Sequence, residues 1–158
     1  MSEELGVRWA HVRWWLESVR RAAAEIEPLR REVDALSCAR DECMPWRASG
    51  ACGGGAGTHS DPTATQAMGR IEDLEGRIAD AMERLRECVI LVGACGEVLE
   101  RMRREVDESH AEVLELYYVD RAPTWSDVAH EMGVSRRAVC RLRDEAYEWV
   151  DRSAHVLL

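Results

Sequence analysis

The chain has no phenylalanine and no lysine, and only 3 tyrosines and 4 prolines in 158 residues. Strand-favouring aromatic residues are therefore scarce, which speaks against a β-rich fold. The few prolines leave long stretches open to helix. All 21 basic residues are arginine. Arginine reads guanine and phosphate well, but it also fills the acidic part of the chain, so a GC-rich coding sequence accounts for the usage without any function. No two of the 6 cysteines form a CxxC pair. No secretory leader and no apolar run long enough to cross a membrane is visible. These absences predict a soluble, cytoplasmic protein with reduced thiols and no membrane partner. What is present in quantity is 46% hydrophobic and 32% charged residues, the balance of a folded, helix-rich chain.

A net charge of −9 argues against nucleic acid until its distribution is read. Residues 121–158 are neutral, with six arginines against six acids. The other 15 arginines and 24 acids lie in residues 1–120, which therefore carry the whole excess. Within the neutral segment, Ser135 to Arg143 holds four arginines and no acid. Any contact with DNA is confined to this C-terminal end, because the rest repels it.

Ser2 is placed to cap a first helix, with Glu3 and Glu4 suited to its dipole. Apolar residues recur at Leu5, Trp9, Val12, Leu16, Val19, Ala23 and Ile26, then at Leu29, Val33, Leu36 and Cys43. The rhythm slips at Pro28, which predicts a kink or a break there. Residues 1–43 form one helical arm. Residues 44–61, with Gly53, Gly54, Gly55 and Gly57, read as a flexible linker without a metal. Asp61-Pro62 restarts a helix. From Ile71 the apolar positions Leu74, Ile78, Ala81, Leu85, Cys88, Val92, Cys95, Leu99, Met102 and Val106 alternate steps of three and four. That is a heptad seam, spanning roughly 54 Å at ~1.5 Å per residue. Met82, Val89 and Ile90 widen the stripe and predict burial on more than one side. The expected architecture is all-α: a helical hairpin or coiled-coil stalk, with residues 62–106 as its heptad arm, followed by a three-helix domain over 107–158. The seam residues Ile71, Leu74, Ile78, Leu85, Val92, Leu99 and Met102 serve either the hairpin or a homo-oligomer.

Residues 124–150 carry the function-bearing pattern. Thr124 is an N-cap with Asp127 three residues on, close to a capping box. Val128, Ala129 and Met132 give the following helix an apolar face. Gly133 supplies the positive φ of a tight turn, Val134 is expected to plug that turn into the core, and Ser135 caps the last helix. Val139, Leu142, Ala146 and Trp149 line its inner face. Steeply crossing helices joined by a short turn need these residue types in this register. The pattern predicts a helix-turn-helix, with helices near 108–119, 125–132 and 136–149. Arg136, Arg137, Cys140, Arg141 and Asp144 face outward. The first turns of such a helix enter a major groove, and the Ser135 and Thr124 hydroxyls are candidates for phosphate contacts.

The stretch YYVDRAPTWSDVAHEMGVSRRAVCRLRDEA resembles the promoter-reading region 4 of the sigma-70 family. It resembles more closely the small phage and prophage regulators that use that domain behind a heptad-patterned helical region. The similarity is strongest over residues 111–150. It implies DNA contact by Arg136, Arg137 and Arg141, and a supporting helix beginning at Trp125. Arg121-Ala122-Pro123 stands where the family has a glycine-containing turn. Ala138 and Cys140 stand where polar or basic residues are common, so the target sequence does not transfer. Nothing resembles the sigma domain that melts DNA.

The function expected is a non-enzymatic, sequence-specific transcription regulator. Its DNA-binding residues are Thr124, Trp125, Ser135, Arg136, Arg137, Cys140 and Arg141; it needs no cofactor. Double-stranded DNA is the partner, with RNA polymerase and a second copy as further candidates. A small terminase-like packaging protein and a helical interaction module without DNA binding are the alternatives. Other signals weigh less. The run GGGAGT lacks the lysine of a phosphate loop. Cys38, Cys43, Cys52 and His59 match no zinc spacing. Trp9, Trp14 and Trp15 read as packing residues. His110 and His130 have no catalytic partner in the pattern.

Overall fold

The computed structural model describes residues 9–44 and 62–157. All regular structure among them is helical: α1 (Ala10–Glu42), α2 (Pro62–Glu105), α3 (Glu108–Leu114), a π-helical segment (Glu115–Val119), α4 (Trp125–Glu131) and α5 (Arg136–Leu157). Among the described residues, no helix is long and apolar enough to cross a membrane. The Ser2 cap, Leu5, and all of the expected linker except Met44 lie outside the described residues, as do Cys52 and His59.

The rhythm slip at Pro28 does not end the first helix; α1 runs through it to Glu42. The ring costs one backbone hydrogen bond, and Leu29 and Leu36, both buried, hold the turns that follow. The chain divides into two compact units, residues 1–26 with 87–158, and residues 27–86. The expected boundaries at 43, 61 and 106 are therefore not those of the compact units. In the 27–86 unit, Leu36 of α1 packs with Leu74 and Ile78 of α2, flanked by Ala39 and Cys43. Ile71 and Ala81 are buried there too, while Leu85 is half-buried.

The larger unit has one core, drawn from every helix it contains. Trp9, just before α1, and Val12, Leu16 and Val19 of α1 join Cys95, Leu99 and Met102 of α2. They also join Ala111, Val113 and Leu114 of α3, Tyr118 of the π segment, Val128 and Ala129 of α4, and Val139, Ala146, Tyr147 and Val150 of α5. Val92 packs partly buried against this cluster. Leu99 is 1% exposed, so Leu99→Ala should lower unfolding free energy by about 2–5 kcal/mol. Chemical denaturation checks this, and an unchanged midpoint would refute the burial.

Four sequence expectations about apolar residues fail. Trp14, read as a packing residue, is 69% exposed. Met82, Val89 and Ile90 stand exposed rather than widening the buried stripe. Within the larger unit the core along α2 is built at Cys95, Leu99 and Met102, which leaves Val89 and Ile90 on the far face. Val106 is exposed because the helix ends at Glu105 and Asp107 turns outward to cap α3. Val134 is exposed as well and does not plug the turn; its amide donates to the Ala129 carbonyl at 3.0 Å and its side chain points out.

Arginines tie the larger unit together. Arg103 near the end of α2 bonds Glu100 at 2.5 Å, Glu108 at 3.1 Å, and Glu115. The backbone widens into a π-helix at Glu115–Val119. Arg20 of α1 donates to two of the carbonyls in this region, those of Tyr117 and Ala122, and lies 4.3 Å over the Tyr117 ring.

Candidate nucleic-acid interface

The π segment sets two adjacent tyrosines to different tasks. Tyr117 stacks on Trp125 at 3.9 Å and 12°. Tyr118 is buried, and its hydroxyl meets that of Tyr147 on α5 at 2.5 Å. Burial, then the neighbouring Tyr147, pushes the Tyr118 phenol up, so both hydroxyls stay protonated and serve as a structural pin. Tyr147 in turn lies 5.8 Å from the ring of Trp9, the residue before α1. Trp9 donates its indole N–H to Glu148 at 3.2 Å. Helix α5 is thus held by Tyr118 of the π segment and, through Tyr147 and Glu148, by Trp9.

The entry to α4 is a full capping box. The Thr124 oxygen accepts the Asp127 amide at 3.2 Å. Asp127 accepts the Thr124 amide at 2.9 Å and its hydroxyl proton at 2.6 Å. The Thr124 hydroxyl is therefore spent inside the cap, with a carboxylate beside it. After α4 the chain reverses through Gly133 at φ 65, the left-handed region that glycine adopts cheaply. Ser135 then accepts the Ala138 amide at 3.2 Å, which leaves its hydroxyl proton available to an outside acceptor.

On α5, Val139 and Ala146 are fully buried and Tyr147 and Val150 nearly so, while Leu142 and Trp149 are half-buried. Arg136, Arg137 and Arg141 are exposed on the side away from this core. Arg136 and Arg137 have no ion pair among the described residues; Arg141 reaches Glu145 only at 4.0 Å, across solvent. Such a pair is weak and yields readily to a stronger anion. Cys140 is half-buried between them. Trp125 is not an open side chain: Tyr117 covers one face, and the Arg143 guanidinium lies 5.3 Å from its ring centre. Arg143 also pairs twice with Asp144, at 2.7 and 2.9 Å. The fourth arginine of the cluster is thereby a packing residue. The assembly presents three exposed guanidinium groups on the first turns of a rigidly held helix, and a free hydroxyl at its start.

His110 was set aside in the sequence for want of a partner, yet it anchors α5. The residue is buried, 9% exposed. Nδ1 lies 2.7 Å from Asp107 and Nε2 2.8 Å from Glu145 of α5. With a carboxylate at each ring nitrogen, only the imidazolium donates to both. Burial works against the charged ring, but the bonds to Asp107 and Glu145 outweigh it and raise its pKa above the ordinary value. The sign follows from linkage. A histidine raised in the folded state contributes stability that is complete below its unfolded value, about 6.5, and is lost as pH climbs through the folded value. Stability should therefore fall as pH rises past that window, and His110→Gln should remove that part of the slope. Urea midpoints across pH 6 to 9 measure it; a parent profile that is flat there would disprove the ion pair.

Tyr118, Tyr147, Arg20, Arg143 and His110 were the positioning residues that sequence reasoning missed. The Tyr-Tyr doublet and an arginine next to the Trp125 helix were visible, but their partners are distant in the chain. Among the described residues, no three His, Cys, Asp or Glu side chains gather as a metal site. No protein-family model, curated protein or solved structure matches the chain.

Proposed function

We propose that the protein is a sequence-specific, DNA-binding transcription regulator, with residues 124–150 as its helix-turn-helix and α5 as the helix that enters the major groove. The observation that carries this reading is the set of three exposed arginines, Arg136, Arg137 and Arg141, opposite the Val139–Ala146–Tyr147 face of α5. Ser135 to Arg143 holds four arginines and no acid in an otherwise acidic chain, and three of them stay exposed. The Gly133 turn and the two hydroxyl caps fit the same motif. The resemblance of residues 111–150 to region 4 of the sigma-70 family supports a promoter as the target and RNA polymerase as a further partner. The protein acts by binding rather than by catalysis.

Arg136 and Arg137 are nearest the base edges. Arg141, one turn on, divides between base and phosphate. Ser135 donates to a phosphate, whereas the Thr124 hydroxyl is occupied by its cap, and Trp125 and Cys140 support the surface more than they touch the duplex. The acidic remainder keeps the contact to this one helix. The test is selection of duplexes from a random pool with the intact chain, followed by titration of the selected sequence at several salt concentrations. Binding that prefers the selected duplex and weakens steeply with salt is the expected result. No enrichment, and no salt-dependent binding to any duplex, would overturn the reading in favour of a helical protein-interaction module.

A further inference from the structure

The outward face of α2 carries an apolar patch that the fold leaves unused. From Cys88 to Gly96 there is no charged residue, in a chain that is 32% charged. Val89, Ile90, Gly93 and Ala94 are all exposed, with Val89 at 46% and Ile90 at 56%. They sit opposite Cys95 and Leu99, which fill the core. Gly93 has no reason within the chain: a Cβ there would meet nothing within 4 Å. Gly69, Gly76 and Gly96 are open in the same way; Gly93 differs from the first two in lying within the uncharged stretch and from Gly96 in being fully exposed beside Val89 and Ile90.

We propose that this face is the contact surface for a second copy of the same chain, with two α2 helices crossing antiparallel about a two-fold axis between Leu91 and Val92. The pattern is self-complementary in that arrangement. Ile90 of each copy lies over Gly93 of the other, and Val89 over Ala94, so each large residue meets a small one. Arg86, one turn before Ile90, and Glu97, one turn after Gly93, are both exposed and lie about three turns apart; Arg86 already pairs with Glu83 of its own helix at 3.0 and 3.1 Å, an exposed pair that exchanges readily. Antiparallel crossing sets Arg86 of one copy against Glu97 of the other at both ends of the patch. A parallel pair would instead set like charges against each other, so charge selects the direction. Small residues at the crossing point let helix axes come close. The patch spans only about three helical turns, so the dimer is concentration-dependent. An isologous contact of this kind closes at two copies and does not grow into a filament. The inference stands independently of the DNA-binding reading.

Sedimentation equilibrium of the whole chain across a concentration series tests it. The expected result is a monomer–dimer equilibrium that Ile90→Glu abolishes, with an unchanged far-UV circular dichroism spectrum because the site is exposed. Arg86→Glu and Glu97→Arg should each weaken the dimer about tenfold or more, and the double exchange should restore it, which a nonspecific apolar contact would not do. Monomer mass at every concentration would overturn the proposal, since the face would then belong to some other partner. So would a dimer that Ile90→Glu leaves intact, or a charge exchange that fails to restore association.

Discussion

Alanine at Arg136, Arg137 and Arg141 together is expected to reduce affinity for the preferred duplex to the level of random DNA, a loss of about a thousandfold or more. The single variants should divide by role. Arg136→Ala and Arg137→Ala remove bidentate contacts to base edges and should each cost about 1–3 kcal/mol on the selected sequence, with little change elsewhere. Arg141→Ala should weaken binding to all sequences more evenly and reduce the salt slope by about one unit. None of these side chains contributes to the core, so melting temperature should hardly move. That separation matters, because a loss of binding with intact folding points to the surface itself. Fluorescence anisotropy with labelled duplexes, at several salt concentrations, measures all of these. If the triple variant binds the selected duplex as tightly as the parent, α5 is not the recognition helix.

A fragment of residues 107–158, the boundary that the heptad pattern suggests for a separate DNA-binding domain, should not fold cooperatively. Its core partners Trp9, Val12, Leu16 and Val19 on and just before α1, and Cys95, Leu99 and Met102 on α2, would all be missing. So would the Arg20 contacts to the Tyr117 and Ala122 carbonyls, and the Arg103 contacts to Glu108 and Glu115. A piece this short has little apolar area to bury even when its core is whole. The expected fragment retains partial helix, binds a hydrophobic dye and melts without a sigmoidal transition. A cooperative melt near that of the whole chain would show that the C-terminal helices stand alone. The point variant Leu16→Asp gives the same test in the full chain: a charge placed at a site that is 1% exposed should unfold the unit around α5, although it lies far from α5 in sequence.

Local chemistry was the legible part of this protein. Thr124 with Asp127, Gly133 and Ser135 act on neighbours within a few residues, and each cap or turn stands where its residue type requires. The seam at Ile71, Leu74, Ile78, Leu99 and Met102 was readable too, because a helix repeats its buried side every three to four positions. Which apolar residues stay exposed was not. Met82, Val89 and Ile90 look like Leu85 or Val92 in the pattern; only the number of neighbouring helices decides that they face outward, and one chain cannot reveal that number. Val134 failed for a similar reason, since a turn residue can point either way and the Gly133 geometry settles which. Pro28 looked like a break because its cost is local, whereas the buried Leu29 and Leu36 that carry the helix past it draw on partners farther along. The pin between Tyr118 and Tyr147, the indole of Trp9 on Glu148, and the bridging of Asp107 and Glu145 by His110 depend on encounters between remote segments, for which spacing holds no record. The same limit applied to the candidate surface: exposure of Arg136, Arg137 and Arg141 followed from helical period, but the loss of Arg143 to packing against Trp125 did not.

Because the larger unit is discontinuous, its assembly has a timetable. Translation releases the apolar stripe of Trp9, Val12, Leu16 and Val19 early, while Glu148, the hydrogen-bond partner of Trp9, lies 139 residues further on. At ribosomal speed that gap is on the order of ten seconds. Throughout it, the stripe has neither Tyr118 nor Tyr147 nor Val150 to cover it and is open to aggregation or to a holding chaperone. Closing so long a loop also places the slow step after most of the chain has been made. The arginine-bearing helix therefore gains its rigid support only when the two distant stretches meet, and a transcript broken anywhere before α5 yields a product whose apolar stripe stays bare.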